Sequence, residues 1–563
     1  MNSIVTEDFG VGNSQDEQAL GLVYKQQGQW GDAAEAFARA IARDPEYAPS
    51  YFELADLSQT LGQADAAIKL YLRTINLDSG NTEAFRRLGE LLYERQNWVG
   101  AENCFSRVVD TGFLNGDLEA RLGLMNKLGI SLIKQDKLAA AAAVFNEILT
   151  HAPAVGEMHS NLTYIYERQG RLDEALAAGL RTVELKPDYP EGHNNLGIAF
   201  RALHLLDAAR KCFAEAVSLK PDFALAQFNL GALDLMQGEF KTGWRGYEWR
   251  NQVIADAPRK LAVPRWNGEA LPGKTLLVHT EQGYGDTILF SRFLKRARER
   301  SQSQIILEGP AALLPLLSGI AGADQVVRFG ASLAPYDAEI ALPSLPAVLG
   351  IELDDLPLEV SYLAIPEVSR SAWRERMNSH AAADALHADQ HETAEPSQNG
   401  ALQPGALRVG IVWTGNAGQE LNSIRSCTPA HFALLAAIPG IAWYSLQKEA
   451  DAQVLQAAWP NDSRMTALGP LLHDFADTAA AIGQLDLVIT VDTAVAHLSG
   501  ALGQTTWTLL SHTPDWRWQL DRTDSAWYPT MRLFRQPGWG DWISVFDAVA
   551  TALRQLISAR AGN

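Results

Sequence analysis

The sequence predicts an α-helical solenoid of stacked hairpins followed by two α/β halves, each built on a parallel sheet. Three observations carry this prediction. A 34-residue period runs through about the first 250 residues. Near Ala262 the hydrophobic pattern changes to short apolar runs alternating with helical stretches. Two of those runs end in junctions rich in Gly, Asp and Thr, where a buried strand hands over to a helix. The length of 563 residues suits three or four domains at roughly 100–200 residues each, and 47% hydrophobic content supports a packed core. Acidic groups outnumber basic ones 66 to 47, a formal charge of −19. Such a surface repels nucleic acid and anionic lipid. Neither nucleic-acid binding nor membrane insertion is expected. Three dispersed cysteines argue against a disulfide framework. The opening MNSIVTEDFG lacks the basic and apolar regions of a secretory signal, so a cytoplasmic protein is expected.

The period is explicit. Leu20-Gly21, Leu54-Ala55 and Leu88-Gly89 recur at steps of 34. After a six-residue insertion near 111–117 the register resumes at Leu128-Gly129, Leu162, Leu196-Gly197 and Leu230-Gly231. Thirteen residues after each leucine stands a small residue: Ala33, Ala67, Ala101, Ala141, Ala175, Ala209 and Gly243. Four further on come Phe37, Tyr71, Phe105, Phe145, Phe213 and Tyr247, with Gly179 as the exception in the fifth unit. Small residues let paired helices approach, and the aromatic fills the groove beside them. Gly179 cannot, so that unit should pack loosely or borrow a neighbouring side chain. Pro45, Pro153, Pro187 and Pro221 close four units, because proline cannot continue a helix. These seven units, over about 13–250, resemble the tetratricopeptide repeat (TPR), which implies a superhelix with a concave face. Asn161, Asn194, Asn195 and Asn229 fall at non-consensus positions there, where asparagines could grip an extended peptide or simply cap and solvate helices.

In the second half, strands are expected at 275–279, 305–307, 325–328 and 338–341, then at 407–413, 442–446, 485–491 and 505–510. Helices are expected at 287–298, from 311, and at 429–438, 478–484, 493–502 and 543–558. Residues 380–405 lack apolar periodicity and read as a flexible linker. The lobes are therefore 251–379 and 406–563, both Rossmann-like, and ligands bind such sheets at their carboxyl strand ends.

Two junctions hold the candidate chemistry. Asp492-Thr493 ends a buried strand and opens a helix, whose free N–H groups and positive end suit a diphosphate. His497 lies one turn further on the same face as Thr493. An N-cap and a core histidine would give the same pattern. In the first lobe, Gln282-Gly283-Tyr284-Gly285-Asp286 occupies the equivalent place. Its glycines admit a substrate close to the backbone, and Asp286 could take a proton from a hydroxyl or merely cap the helix. Gly283 and Gly285 with Glu308 downstream also suggest a dinucleotide site, but Ile288 replaces the third glycine.

The segments EQGYGDTILFSRFL, IVWTGN…RS, SLQK, DFADTAAAIGQLDLVITVDTAVAHLSGALG, PDWRWQL and WYPTMRLFRQ resemble bacterial repeat-fused glycosyltransferases. They are similar to the heptosyltransferase group (glycosyltransferase family 9), of the two-lobed GT-B fold. The likeness covers about 245–556 besides the repeats. The architecture is also similar to that of protein O-GlcNAc transferases. The resemblance implies a metal-independent inverting glycosyltransferase with no cofactor beyond its nucleotide-sugar co-substrate. Asp286 would be the catalytic base, with Gln282, Gly283 and Gly285 as the acceptor loop. Asp492, Thr493 and His497 would hold the donor's ribose and diphosphate. Arg425 would neutralise the leaving diphosphate, Lys448 is a second cation, and Gln447 could reach base or ribose. The expected acceptor is a protein or peptide held on the concave face of the repeats, with a lipid-linked or polysaccharide acceptor also compatible. Homo-oligomer formation stays open.

One loop departs from the family. Gln419, Asn422 and Ser423 stand where relatives carry a histidine and an Asp-Arg pair, which removes acid–base capacity. That favours the rival expectation of a non-catalytic TPR adaptor with a vestigial nucleotide-binding domain. A nicotinamide-dependent oxidoreductase is a remote third expectation. Asp354-Asp355 reads as a solvated turn. The aromatics Trp507, Trp516, Trp518, Trp527, Tyr528, Trp539 and Trp542 read as packing, with Asp515, Arg517 and Arg522 as buried ion pairs.

Overall fold

The structure, a computed structural model, describes residues 13–561 apart from 115, 254–260, 282, 358, 390–405, 417, 419–421, 449–458 and 460–464. They divide into two compact units between Leu203 and His204. In the first, five antiparallel hairpins follow one another, from Ser14–Gln26 with Trp30–Arg43 to Gly156–Arg168 with Leu172–Leu185, and helix Pro190–Ala202 follows them. The insertion near 111–117 is absorbed partly by a turn and partly by helix Leu118–Ile133, which has 16 residues where the other first helices have 13. Asp117 caps it by accepting from Ala120 N–H at 3.0 Å.

The consensus glycines have a measurable cause. A Cβ on Gly21 would stand 2.5 Å from the Phe37 ring, and one on Gly129 2.5 Å from Phe145. Each glycine thus makes room for the aromatic of its own hairpin, and both rings are fully buried. The fifth hairpin exchanges the two positions. Thr163 stands where all the others but the second, with Ala55, have glycine, and Gly179 where the others have an aromatic. Leu196 of the next helix and Thr163 fill the gap, 2.9 and 3.2 Å from a Cβ on Gly179. The borrowed side chain is therefore Leu196. Gly129→Ala is expected to destabilise this unit by about 1–3 kcal/mol through overpacking. A second change, Phe145→Leu, should restore part of that loss, read as the thermal unfolding midpoint by circular dichroism.

The second unit begins with helix Leu206–Leu219 and the hairpin Ala224–Met236 with Phe240–Tyr247. The last repeat hairpin therefore belongs to the same compact unit as the sheets. Two all-parallel sheets follow. The first contains β1 (Thr275–His279), β2 (Gln304–Gly309), β3 (Gln325–Arg328) and β4 (Ala338–Ala341) in the order β3-β2-β1-β4. The second contains β5 (Leu407–Val412), β6 (Ile441–Ser445), β7 (Met465–Ala467), β8 (Leu487–Val491), β9 (Thr506–Leu510) and β10 (Met531–Arg535). Its order is β10-β9-β8-β5-β6-β7. Counted from β5, this is the doubly wound order 3-2-1-4-5-6, and the first sheet follows its beginning. The order reverses between β1 and β4 and between β5 and β8, and crevices open at those strands' carboxyl ends.

Several expectations shift. Strands β7 and β10 were not anticipated. Each lies at a sheet edge and is partly exposed, so neither forms a continuous apolar run. The helix expected at 287–298 is two, Tyr284–Ser291 and Leu294–Ser301, and starts earlier because Gly283 is its N-cap. Asp286 therefore sits within the first turn and is not the cap. The Leu-rich helix from 311 is only a short 3-10 turn and one helical turn, Leu314–Leu317. Helix Glu367–Asp389 runs into the segment read as a linker, since alanine-rich sequence favours helix. Residues 390–405 lie outside the described residues.

One core is continuous from Trp244 and Tyr247 through the first sheet to one face of the second. A separate core joins the opposite face to helix Trp542–Ala561. Six of the seven aromatics of 507–542 are divided between them: Trp516, Trp518, Trp527 and Tyr528 in the first, Trp507 and Trp542 in the second. Packing is the role of these six, whereas Trp539 is partly exposed and belongs to neither core.

Candidate functional site

The carboxyl ends of both sheets enclose a cavity of about 760 Å³. From the first sheet it receives Gly283, Tyr284, Gly285 and Asp286, which follow β1. From the second it receives Thr414, Gly415, Asn416 and Arg425 after β5, Gln447 and Lys448 after β6, and Asp492, Thr493 and His497 after β8. All the anticipated site residues thus line one cavity, except Gln282, which lies outside the described residues together with Gln419.

Two helix starts meet there. Helix Tyr284–Ser291 packs against helix Ala494–Ala501. A Cβ on Gly285 would lie 2.9 Å from His497 Cδ2 and 3.6 Å from Ala494 Cα. Gly285 is therefore required for the close approach of the two helices, beside any role toward substrate. Thr493 is the N-cap, its hydroxyl accepting from Val495 N–H at 3.3 Å and pairing with Thr490 at 3.1 Å. Capping does not remove it from the cavity wall.

His497 is buried, with Nδ1 paired to the Tyr528 hydroxyl at 2.9 Å and its ring stacked on Trp518. Burial, and then the charge of Arg517, hold it well below the ordinary histidine range. It is a neutral group, able to shape or hydrogen-bond a ligand but not to neutralise a phosphate.

Asp492 is pushed up to about 6 by burial and then by Asp515, against the pull of Arg425. The folded chain thus keeps this proton up to about pH 6, whereas an unfolded chain releases it near 3.8. Stability attributable to the group is present below 3.8 and is lost as pH rises through about 6. Asp492→Asn should consequently stabilise the protein at pH 7.5 by roughly 2–3 kcal/mol. The gain should shrink at pH 4.5, measured as urea midpoints at both pH values.

Gln447 is already engaged through its carbonyl, which accepts from the N–H groups of Trp413 and Thr414 at 3.3 and 3.2 Å. It braces the loop after β5. Asn422 ties together described residues of the same loop. Its Oδ1 accepts from Gly415 N–H (3.1 Å) and Ser426 Oγ (3.2 Å), and its Nδ2 donates to Thr414 Oγ1 (3.0 Å). Lys448 is exposed and donates to His473 O at 3.4 Å. Arg425 acts on Asp286 and Asp492 alike, lowering both.

Sequence reasoning missed the part played by Arg517 and Asp515. They form the expected ion pair, at 2.7 Å, but in the cavity wall, and Arg517 also pairs with Asp286. The signal was the charge embedded in DWRW, an arginine between two buried tryptophans. Arg522 pairs instead with the exposed Asp524 at 2.8 Å. Burial raises the Asp286 carboxyl from its ordinary value, and Arg517 is the largest opposing influence. Tyr284 and Phe475, ring centroids 4.8 Å apart, add an aromatic edge contributed by both sheets. Glu308 is fully buried and is not part of the wall, which removes the acidic partner of the dinucleotide reading.

Two other expectations concern side chains away from the cavity. Asn195 donates to Ser160 O and Oγ at 3.3 and 3.0 Å, tying adjacent repeats, and Asn194 is buried. Those two asparagines serve the repeat array itself. Asp354 and Asp355 lie in a 3-10 turn, with Asp355 3.5 Å from Arg296.

Among the described residues no three His, Cys, Asp or Glu side chains group as a metal would need, and no helix is long and apolar enough to cross a membrane. A family model for the tetratricopeptide repeat matches residues 19–82, 126–190 and 194–242. The chain therefore carries a helical TPR solenoid followed by a parallel-sheet α/β region. Protein FlbA of Caulobacter vibrioides is 25% identical over 571 residues, covering 96% of this chain and 84% of that protein. Superkiller protein 3 of Schizosaccharomyces pombe is 28% identical over 160 residues, 28% of this chain and 11% of that protein. Among solved structures, YrrB, described as a TPR protein with an unusual peptide-binding site, is 24% identical. It covers 34% of this chain and 96% of its own, with a TM-score of 0.29. A glycosyl transferase family 9 protein from Veillonella parvula is 13% identical, covers 48% of this chain and 88% of its own, and has a TM-score of 0.34.

Proposed function

We propose that the protein is a metal-independent, inverting glycosyltransferase of GT-B type that uses a nucleotide-activated sugar. The observation that supports this best is the opposition of Asp286 on one sheet to Arg425, Asp492 and the helix beginning after Thr493 on the other, across a single cavity. A nucleoside diphosphate would lie on the second sheet, its phosphates at the helix start and near Arg425 and Lys448. Asp286 would take the proton of an acceptor hydroxyl as its oxygen bonds to the anomeric carbon. The bond from that carbon to the diphosphate breaks, and its electron pair leaves with the nucleoside diphosphate. Configuration inverts. The TPR array would bind the acceptor as an extended protein or peptide segment, in the cytoplasm.

One observation favours a second reading. Asp286 is ion-paired to Arg517, which weakens it as a base, and a vestigial nucleotide-binding domain on a TPR adaptor could tolerate that. Thermal-shift screening of nucleoside diphosphates and nucleotide sugars tests the shared premise, since a ligand of the folded state raises apparent stability as RT ln(1 + [L]/Kd). At least one nucleotide sugar should shift the wild type, and Arg425→Ala should abolish the shift. If no nucleotide shifts the wild type, both readings fail.

A further inference from the structure

Arg517 has more partners than a surface cation needs. Its Nη1 donates to Asp515 Oδ1 at 2.7 Å, and its Nη2 donates to Asp286 Oδ1 and to the Tyr247 hydroxyl, the latter at 3.2 Å. The guanidinium lies 4.5 Å from the centroid of the Trp516 ring, and the side chain is only 9% exposed. Trp516 in turn meets Trp244 and Tyr247 edge-on, at centroid distances of 5.4 and 5.5 Å. The cation is thus clamped from three sides. Tyr247 is also the consensus aromatic of the seventh repeat.

We infer that Arg517, clamped by Tyr247 of the last repeat hairpin and by Asp515, is the positioning residue of Asp286, holding Oδ1 so that Oδ2 faces the acceptor. The inference rests on the transferase reading for its meaning, but not for its test. Asp286 keeps 23% of its side chain exposed, and it lines the cavity, so one edge is held while the other opens to substrate. The contact is a single Nη2–Oδ1 bond, which holds one carboxylate oxygen and leaves the other unengaged by the guanidinium, whose Nη1 is tied to Asp515. The seventh repeat hairpin therefore braces the site from behind its wall, through Tyr247.

The groups facing Asp286 are Arg517 and Asp515 from the segment after β9, and Tyr247 and Arg250 from the end of the repeats. Arg425 from the loop after β5 also acts on it, and His497 of the facing helix lies against the neighbouring Gly285. Burial raises the Asp286 carboxyl, and Arg517 opposes that most strongly. Loosening Arg517 should therefore raise it further.

The test is carbodiimide labelling with glycine ethyl ester, which modifies protonated carboxyls, read at Asp286 by peptide mass spectrometry across pH. Wild type, Arg517→Lys, Arg517→Gln and Tyr247→Phe would be compared as full-length proteins. The labelling midpoint should rise by about 1–3 pH units in Arg517→Gln. It should rise less in Tyr247→Phe and return most of the way in Arg517→Lys. The acidic limb of the transfer rate should move by the same interval, with the donor KM unchanged. An unchanged midpoint in both Arg517→Gln and Tyr247→Phe overturns the inference. If Arg517→Gln does not fold, Tyr247→Phe decides alone, since it removes only the hydroxyl. Absence of transfer in the wild type would sink the transferase reading, while the labelling midpoints would still decide the positioning role.

Discussion

Asp286→Asn should lower the rate of sugar transfer by about 10²–10⁴-fold, the range a general base contributes. Nucleotide binding should persist, because the residues assigned to the donor belong to the second sheet. The pH dependence separates this from a structural loss. Burial raises the Asp286 carboxyl, so the wild-type rate should climb as pH rises through that elevated value and the base ionises. The residual rate of the Asn variant should lack that limb. Single-turnover rates against pH, beside thermal shifts with nucleotide, would read both quantities. Full transfer by Asp286→Asn would remove the residue from the mechanism.

The largest expected effect on stability lies just behind the cavity. Arg250 is fully buried, donating to Glu248 at 2.7 Å, Glu281 at 2.9 Å and Ser344 Oγ at 2.8 Å. Ser344 completes a ring by donating to Glu248 at 3.0 Å. Glu281 stands two residues before Gly283, so the network fixes the loop that carries the candidate base. Arg250→Ala would strip Glu281 of its cation and leave Glu248 with Arg265 alone. Removing one partner from a buried pair costs about 3–5 kcal/mol, and the partial exposure of both glutamates reduces that to about 2–4 kcal/mol. The urea midpoint of the second unit should fall accordingly. A midpoint unchanged within error would show that the glutamates are solvated independently of Arg250.

Much of this arrangement was legible in the sequence because it repeats or because it is buried. The 34-residue period is redundant over seven units, and the strands β1, β5, β8 and β9 are buried runs with one meaning. The missing aromatic of the fifth repeat was visible at Gly179, and the sequence left loose packing or a borrowed neighbour as its outcomes; the structure shows Leu196 as the neighbour. What escaped had weak local signals. Strands β7 and β10 are partly exposed edges. Gly285 looked like a substrate-facing glycine, and its contact with His497 comes from a helix more than 200 residues away. Tyr247 was read as a repeat consensus residue. Its bond to Arg517 spans 270 residues, and no local pattern encodes it. Asn422 and Gln447 were judged by what they replace or could reach, whereas their hydrogen bonds show them bracing one loop.

The central claim is that a base on one sheet and a diphosphate site on the other work together on a sugar. Its most direct test is transfer of radiolabelled sugar from a panel of nucleotide sugars to macromolecular acceptors in an extract of the producing cells. Wild type and Asp286→Asn would be compared at equal nucleotide occupancy. The account predicts label in the acceptor fraction and stoichiometric release of nucleoside diphosphate with the wild type, and loss of both with the variant. Bound nucleotide without transfer from any donor, in either protein, would contradict it and leave the TPR adaptor as the function.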